Sequence, residues 1–329
     1  MSSYEERVAE EIGQYKDVPV VHDLPGIYDY WSDKYIRPLL NSVLEADTIP
    51  GLFARYLAQG AAACGGDAAF LSIGSGDLSL EITVAKELIR EGLTEFTIEC
   101  TELSPALIER GLAEAKKEGL SQHILAEQAD LNLWQHHRKY AAVMASHSLH
   151  HVLKLEHLFQ EIFDCMHPKG LFVISDMIGR NGHMRWPEAL ELVHAIWAFL
   201  APRYKYNHSL KWQEDKFLNW NCAGENEGFE GIRAQDILPL LIEKFHFVRF
   251  LGFGNLTDVF VDRSFGHNFD PHNWQDKALI DFLHLLNDRL LDAGQLKPTM
   301  TMAVMSPTAP SHPTICYRNR SPEFCVRRP

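Results

Sequence analysis

Between residues 67 and 178, short apolar runs alternate with amphipathic stretches. Ala68-Ala69-Phe70-Leu71-Ser72-Ile73 reads as a buried strand, and 80–90 reads as a helix. Phe96-Thr97-Ile98-Glu99-Cys100-Thr101 is a second strand, followed by a helix over 105–118. The runs 140–145 and 170–175 continue the series, with a helix over 155–166 between them. This alternation implies right-handed crossovers and a parallel sheet. Further along, 245–253 and 299–305 read as two more strands. The helix between them, 274–293, carries Leu279, Phe282, Leu283, Leu286 and Leu290 at helical spacing.

The flanks have a different texture. Residues 1–66 read as helices around Tyr28, Tyr30, Trp31 and Tyr35, ending at Gly65-Gly66. Residues 179–244 lack the strand–helix alternation; Trp186, Leu190, Val193, Trp197 and Leu200 fall at helical spacing there. The last stretch holds Pro307, Pro310, Pro313, Pro322 and Pro329 and little periodic apolar content. The expected division is therefore a helical cap (1–66), the first part of the sheet (67–178), a helical insertion (179–244), two closing strands with their helix (245–305) and a flexible tail (306–329).

Composition narrows the function classes. With 329 residues and 46% hydrophobic content, the chain can bury a core large enough to close around a ligand. The net charge of −13 argues against a nucleic-acid partner, which would need clustered Lys and Arg. No apolar run reaches the roughly 18 residues of a membrane helix, so no membrane partner is expected. The start carries Glu5, Glu6, Glu10 and Glu11 and does not read as a signal peptide. The six cysteines are scattered with no CxxC pair, which suits reduced thiols in a cytoplasmic protein.

The most informative segment is Ile73-Gly74-Ser75-Gly76-Asp77-Leu78-Ser79, where a strand turns directly into a helix. Glycines let the backbone turn tightly and approach a ligand, and a helix N-terminus offers unpaired N–H groups. Alone, such a turn also serves plain helix–strand packing. Glu102 at the tip of the second strand is placed to accept hydrogen bonds from a ribose diol, with a solvated loop acid as the alternative. Asp130 precedes the next strand, and Ser146-His147-Ser148-Leu149-His150-His151 follows it. A dinucleotide fingerprint would want a glycine at position 79, where the chain has Ser79.

These features together resemble the class I S-adenosylmethionine-dependent methyltransferases, over 67–178 and again through 245–305. The resemblance implies a doubly wound α/β fold: a mostly parallel seven-stranded sheet whose last strand is antiparallel. It implies S-adenosyl-L-methionine as cofactor and S-adenosyl-L-homocysteine as product. Ser72, Gly74, Ser75 and Gly76 would line the methionine part, Glu102 would hold the ribose with Leu103 against the adenine, and Asp130 and Leu131 would read the adenine edge. His147 would pass beneath the methionine moiety, and Tyr28 and Tyr35 would close over the cofactor, with core packing as the plainer reading for each. The chain departs from the family pattern at Ser72, where an acid is common, and at Leu78, where a third glycine is frequent.

Methyl transfer from a sulfonium relies mainly on alignment, and a base is needed only for a protonated acceptor. His150 and His151 are the candidate bases, with loop capping or packing as the alternative. Asp176, Arg180, His183 and Trp186 follow the fifth strand at the end of the sheet suited to substrate contact. For these a turn cap, a surface ion pair or core packing are the plainer readings. Among the seventeen histidines, His136-His137, His150-His151 and His267/His272 offer no HxxxH or HxH pair on one predictable element, and no metal is expected. The expected acceptor is a small molecule or short peptide methylated on O, N or C, with the oligomeric state open and a homodimer among the options. The rival readings are an NAD-dependent oxidoreductase and a non-catalytic methyltransferase-like subunit.

Overall fold

The computed structural model describes residues 4–15, 24–224 and 228–327. Its N-terminal part comprises α1 (Tyr4–Tyr15), α2 (Gly26–Trp31), a π-helical turn (Ser32–Ile36), α3 (Arg37–Leu44) and α4 (Ile49–Ala63). There follow β1 (Ala69–Ile73), α5 (Ser79–Arg90), β2 (Thr97–Glu102), α6 (Pro105–Lys117), β3 (Ile124–Gln128), β4 (Tyr140–Ser146), α7 (Leu155–Cys165) and β5 (Met166–Met177). Beyond the sheet's first part come α8 (Pro187–Phe199) and α9 (Ala234–Lys244), then β6 (His246–Phe253), α10 (Asp258–Val261), α11 (Trp274–Asp292), β7 (Met300–Ser306), β8 (Ile315–Cys316) and α12 (Pro322–Cys325).

These eight strands form one sheet in the order β8-β6-β7-β5-β4-β1-β2-β3, and the insertion, expected to be helical, also carries a separate two-stranded antiparallel hairpin, Tyr206–Asn207 with Trp212–Gln213. Neighbours from β5 to β3 run parallel, and β7 lies antiparallel between β5 and β6. Chain order reverses at β1, which pairs with β2 on one side and β4 on the other. Such a switch point opens a crevice at the carboxyl ends of the strands. Successive residues divide between the two faces: Phe70, Met144 and Val173 join one core, and Leu71, Val143 and Ile174 the other. The first core is covered by α4, α5, the N-terminal helices, α8 and α11; the second by α7 and α9. Helix α4 starts at Thr48, whose hydroxyl accepts from the Gly51 amide at 3.1 Å. It lies hard against β4: a Cβ at Gly60 would stand 2.6 Å from the Ala141 carbonyl oxygen.

Three expectations change. The expected sheet gains an eighth strand, because β8 pairs parallel with β6 through Ile315 and Cys316. The same contact removes the flexible tail through residue 327. Arg320, read as part of a mobile end, is buried, bonding Asp292 Oδ1 through Nε at 2.9 Å and pairing with Asp288. Proline content suggested mobility there, but the ion pairs of Arg320 with α11 hold the segment down. Finally, α9 packs on α7 as a crossover helix, so the insertion proper ends near residue 233. Within it, Trp197 and Tyr204 are buried, whereas Trp212 and Trp220 face solvent. Among the described residues no helix is long and apolar enough to cross a membrane.

Candidate active site

The turn after β1 sets one end of a cavity of about 740 Å³ at the carboxyl edge of the sheet. Gly74 and Gly76 have φ of +65° and +57°, the left-handed region that glycine enters without strain. A Cβ at Gly74 would lie 2.5 Å from Cβ of Ser148, whose hydroxyl donates to the Ile73 carbonyl at 2.7 Å. The turn is thus clamped against the end of β4. Leu78 also has positive φ, +61°, although it is fully buried. Its room comes from α6, where a Cβ at Gly111 would stand 2.5 Å from Leu78 Cγ.

Glu102, at the tip of β2, accepts from the Gly76 amide at 2.9 Å and from the Ser104 amide at 2.8 Å. Burial raises its carboxyl above the ordinary value, and those amide bonds oppose the rise. Asp130 accepts from the Asn132 amide at 2.9 Å and from the Tyr4 hydroxyl of α1. Leu103 and Leu131 complete this end. Ser72 does not reach the cavity; buried in β1, its hydroxyl donates to Glu81 Oε1 at 2.6 Å. Glu81, on α5, does line the cavity. Its Oε2 is buried without a hydrogen-bonding partner among the described residues, and desolvation pushes its carboxyl up to about 7. The acid missing at position 72 is thus supplied nine residues later, from the neighbouring helix.

The other end is lined by His147, His151, Glu11 and Phe229, with Tyr28, Ile36 and Leu40 in the wall from the N-terminal helices. His147 takes a φ of +50°, and its amide donates to Ser175 at 2.8 Å. His151 Nδ1 lies 2.7 Å from Glu11 Oε1, and its Nε2 is 3.5 Å from Glu230 Oε2. Behind this wall His150 Nδ1 meets Asp176 Oδ1 at 2.6 Å, and His150 Nε2 faces Glu230 Oε1 at 3.4 Å. Burial would push the His150 imidazole down, but the two carboxylates outweigh it and hold it well above the ordinary histidine value. Burial would raise Asp176 and Glu230, yet the adjacent imidazoles hold both well below the carboxylate range. Burial lowers His183, which bonds Glu230 Oε1 through Nε2 at 2.5 Å.

Several residues singled out from sequence lie elsewhere. Tyr35 is turned away from the cavity; its hydroxyl donates to Asp281 at 2.7 Å and its ring stacks on His284 of α11. Asp176 is fully buried and also accepts from the Ser148 and Leu149 amides, so it braces the loop after β4 and does not line the cavity. Arg180 donates to the Arg185 carbonyl at 3.0 Å, and Trp186 is buried beneath the Arg327 guanidinium. His150 and His183 stand behind the cavity wall, not in it. Conversely, Glu11, Glu81, Phe229 and Glu230 were missed. The glycines flanking Phe229-Glu230 were the available signal, since Gly228 and Gly231 both have positive φ.

A glycine turn at the switch point, an acid at the tip of β2 and an antiparallel strand between β5 and β6 define a cofactor-binding α/β enzyme fold. The chain's sequence matches the profile of the methyltransferase domain family over residues 34–233, and the chain belongs to that family. It is a class I S-adenosylmethionine-dependent methyltransferase. No protein of curated function matches the sequence. Among solved structures, it is similar to the geranyl diphosphate C-methyltransferase of Streptomyces coelicolor A3(2) (13% identity, 92% of this chain and 98% of that one, TM-score 0.47). It is also similar to the O-methyltransferase of a trans-AT PKS multienzyme of Brevibacillus brevis (12% identity, 83% and 77%, TM-score 0.45). A third is the sarcosine dimethylglycine methyltransferase candidate of Galdieria sulphuraria (14% identity, 84% and 98%, TM-score 0.43).

The residues present fit the cofactor. The orphaned Oε2 of Glu81 suits a cationic ammonium or sulfonium, and Glu102 and Asp130 retain acceptor capacity for hydroxyl and amino groups, since a carboxylate offers about four lone pairs.

Proposed function

We propose that the chain methylates an O, N or C atom of a small-molecule or short-peptide acceptor held at the His151 end of the cavity. The observation that carries this reading is the cavity's continuity: one space joins the glycine turn and Glu102 to His151 and Glu11. Bound S-adenosylmethionine supplies an electrophilic methyl group. Ser75, Gly76, Glu102, Leu103, Asp130 and Leu131 hold and orient it, and Glu81 complements its positive charge. His147 and Tyr28 shape the path between the two ends, while Phe229 and Leu40 exclude water. In this reading the Glu11–His151 pair takes the proton of an acceptor hydroxyl or ammonium, and Glu230 on the other ring nitrogen supports the imidazolium that results; the 2.7 Å and 3.5 Å contacts support it.

The N-terminal helices and the insertion 179–233 shape the acceptor region, and the sheet parts before and after it carry the cofactor. Walls from both sides favour a small acceptor over nucleic acid, as does the charge of −13. Six free cysteines support a reducing, cytoplasmic setting. Methyl-labelled cofactor with a metabolite pool should yield a labelled small product, abolished in His151→Ala while S-adenosylhomocysteine still binds. Label found only in protein or nucleic acid would overturn the acceptor class.

A further inference from the structure

We infer that His150, His183 and Glu230 form a binding site for a divalent transition-metal ion directly behind the cavity wall. One ligand atom from each, a ring nitrogen from either histidine and a carboxylate oxygen, lies within 4.8 Å of the others. Metal–ligand bonds of roughly 2.1 Å in a tetrahedron place donor atoms about 3.4 Å apart. His150 Nε2 and Glu230 Oε1 are 3.4 Å apart, whereas the 2.5 Å contact of Glu230 Oε1 with His183 Nε2 would have to open by roughly 1 Å on coordination. Two imidazoles and a carboxylate are the donor set that transition ions prefer over calcium or magnesium.

The surroundings are built for these three side chains. The Asp176 carboxylate bonds His150 Nδ1 at 2.6 Å, which directs Nε2 toward Glu230; such carboxylate–histidine pairs orient metal ligands. His183 is held at φ +55°, a strained backbone for a non-glycine residue. At Gly231 a Cβ would stand 3.0 Å from the His183 ring, so the glycine leaves the imidazole its space. Backbone bonds tie the three segments together: the Gly182 amide to the Gly231 carbonyl at 2.8 Å, and the Ile232 amide to the His150 carbonyl at 3.1 Å. Two carboxylates flank one buried imidazole, a negative surplus that a divalent cation matches. Glu230 would then present Oε1 to the ion and Oε2 to His151, fixing the cavity-facing histidine from behind.

The full chain, stripped with a chelator, is titrated with Zn2+ by calorimetry and with Co2+ by visible absorption. The expected result is one ion per chain and the intense d–d bands of a four- or five-coordinate N/O site. Glu230→Gln, nearly isosteric, and His183→Asn, which left-handed backbone tolerates, should each weaken binding at least about 100-fold. Binding of S-adenosylhomocysteine, titrated in parallel, reports that the variants are folded and tests the cofactor cavity separately. Absence of saturable metal binding, or binding untouched by both substitutions in folded protein, overturns the site and leaves a protonated hydrogen-bond network in its place.

Discussion

At the cofactor end of the cavity, Gly74, Gly76, Glu102 and Asp130 all sit at the ends of strands or in the turns after them, positioned by the sheet itself. At the histidine end, Glu11, His151, Phe229 and Glu230 come from α1, the loop after β4 and the insertion, joined by side-chain ion pairs and by a few bonds between loop backbones. The first end is a property of the backbone; the second is assembled from segments far apart in the chain. Changes at the first should therefore alter fold and cofactor affinity together, and changes at the second should alter turnover alone.

The largest effect is expected from His151→Ala. Loss of a general base should lower methyl transfer to a hydroxyl or ammonium acceptor by roughly 10²–10⁴-fold. Affinity for S-adenosylhomocysteine, measured by calorimetry, should stay within about threefold; a parallel loss of affinity would erase the distinction between the two ends. Gly74→Ala tests the opposite case. Positive φ and a 2.5 Å encounter with Ser148 should cost about 2–4 kcal/mol in chemical denaturation and abolish cofactor binding together.

Glu81→Gln sharpens the comparison, because stability and binding should move in opposite directions. Glu81 has its folded-state value raised to about 7 from 4.5, so the folded protein holds a proton that the unfolded chain releases. The stability this lends is complete below about pH 4.5 and lost as pH rises through 7. Glutamine removes that loss: a gain of about 2–3 kcal/mol at pH 8 and little at pH 4 is expected from melts across pH. Cofactor affinity should fall, because the carboxylate facing its positive charge is gone. A stability gain equal at both pH values would remove the ionisation from the explanation. The smallest effect belongs to Tyr35→Phe, about 0.5–1 kcal/mol from its bond to Asp281, with cofactor affinity unchanged by calorimetry.

The same contrast decides what could be read in the sequence. Strands buried on both faces leave apolar runs, and a glycine turn between strand and helix leaves a local signature, so Gly74, Gly76, Glu102 and Asp130 were legible as neighbours in pattern. β3 was not singled out because it lies at the sheet's edge and its Ile124-Leu125-Ala126-Glu127-Gln128 run is mostly exposed or half-buried. Glu81 escaped because the pattern asks for an acid at position 72, whereas the fold places one there from α5. His150 and Asp176 were seen as polar residues near the right edge, but a period of two or three to four residues cannot say which of two adjacent histidines turns inward. Glu11 and Glu230 are 219 positions apart, and only the folded chain brings both to His151.

Helix α1 reaches both ends of the cavity: Tyr4 bonds Asp130 at one, and Glu11 meets His151 at the other. Arg7 between them holds the Gly228 carbonyl at 2.7 Å. One helix thus spans the chamber, with a side-chain contact at each end. Taking α1 away would strip Asp130 of its tyrosine donor and His151 of its Glu11 partner at a stroke, so the two ends, built so differently, have one wall in common.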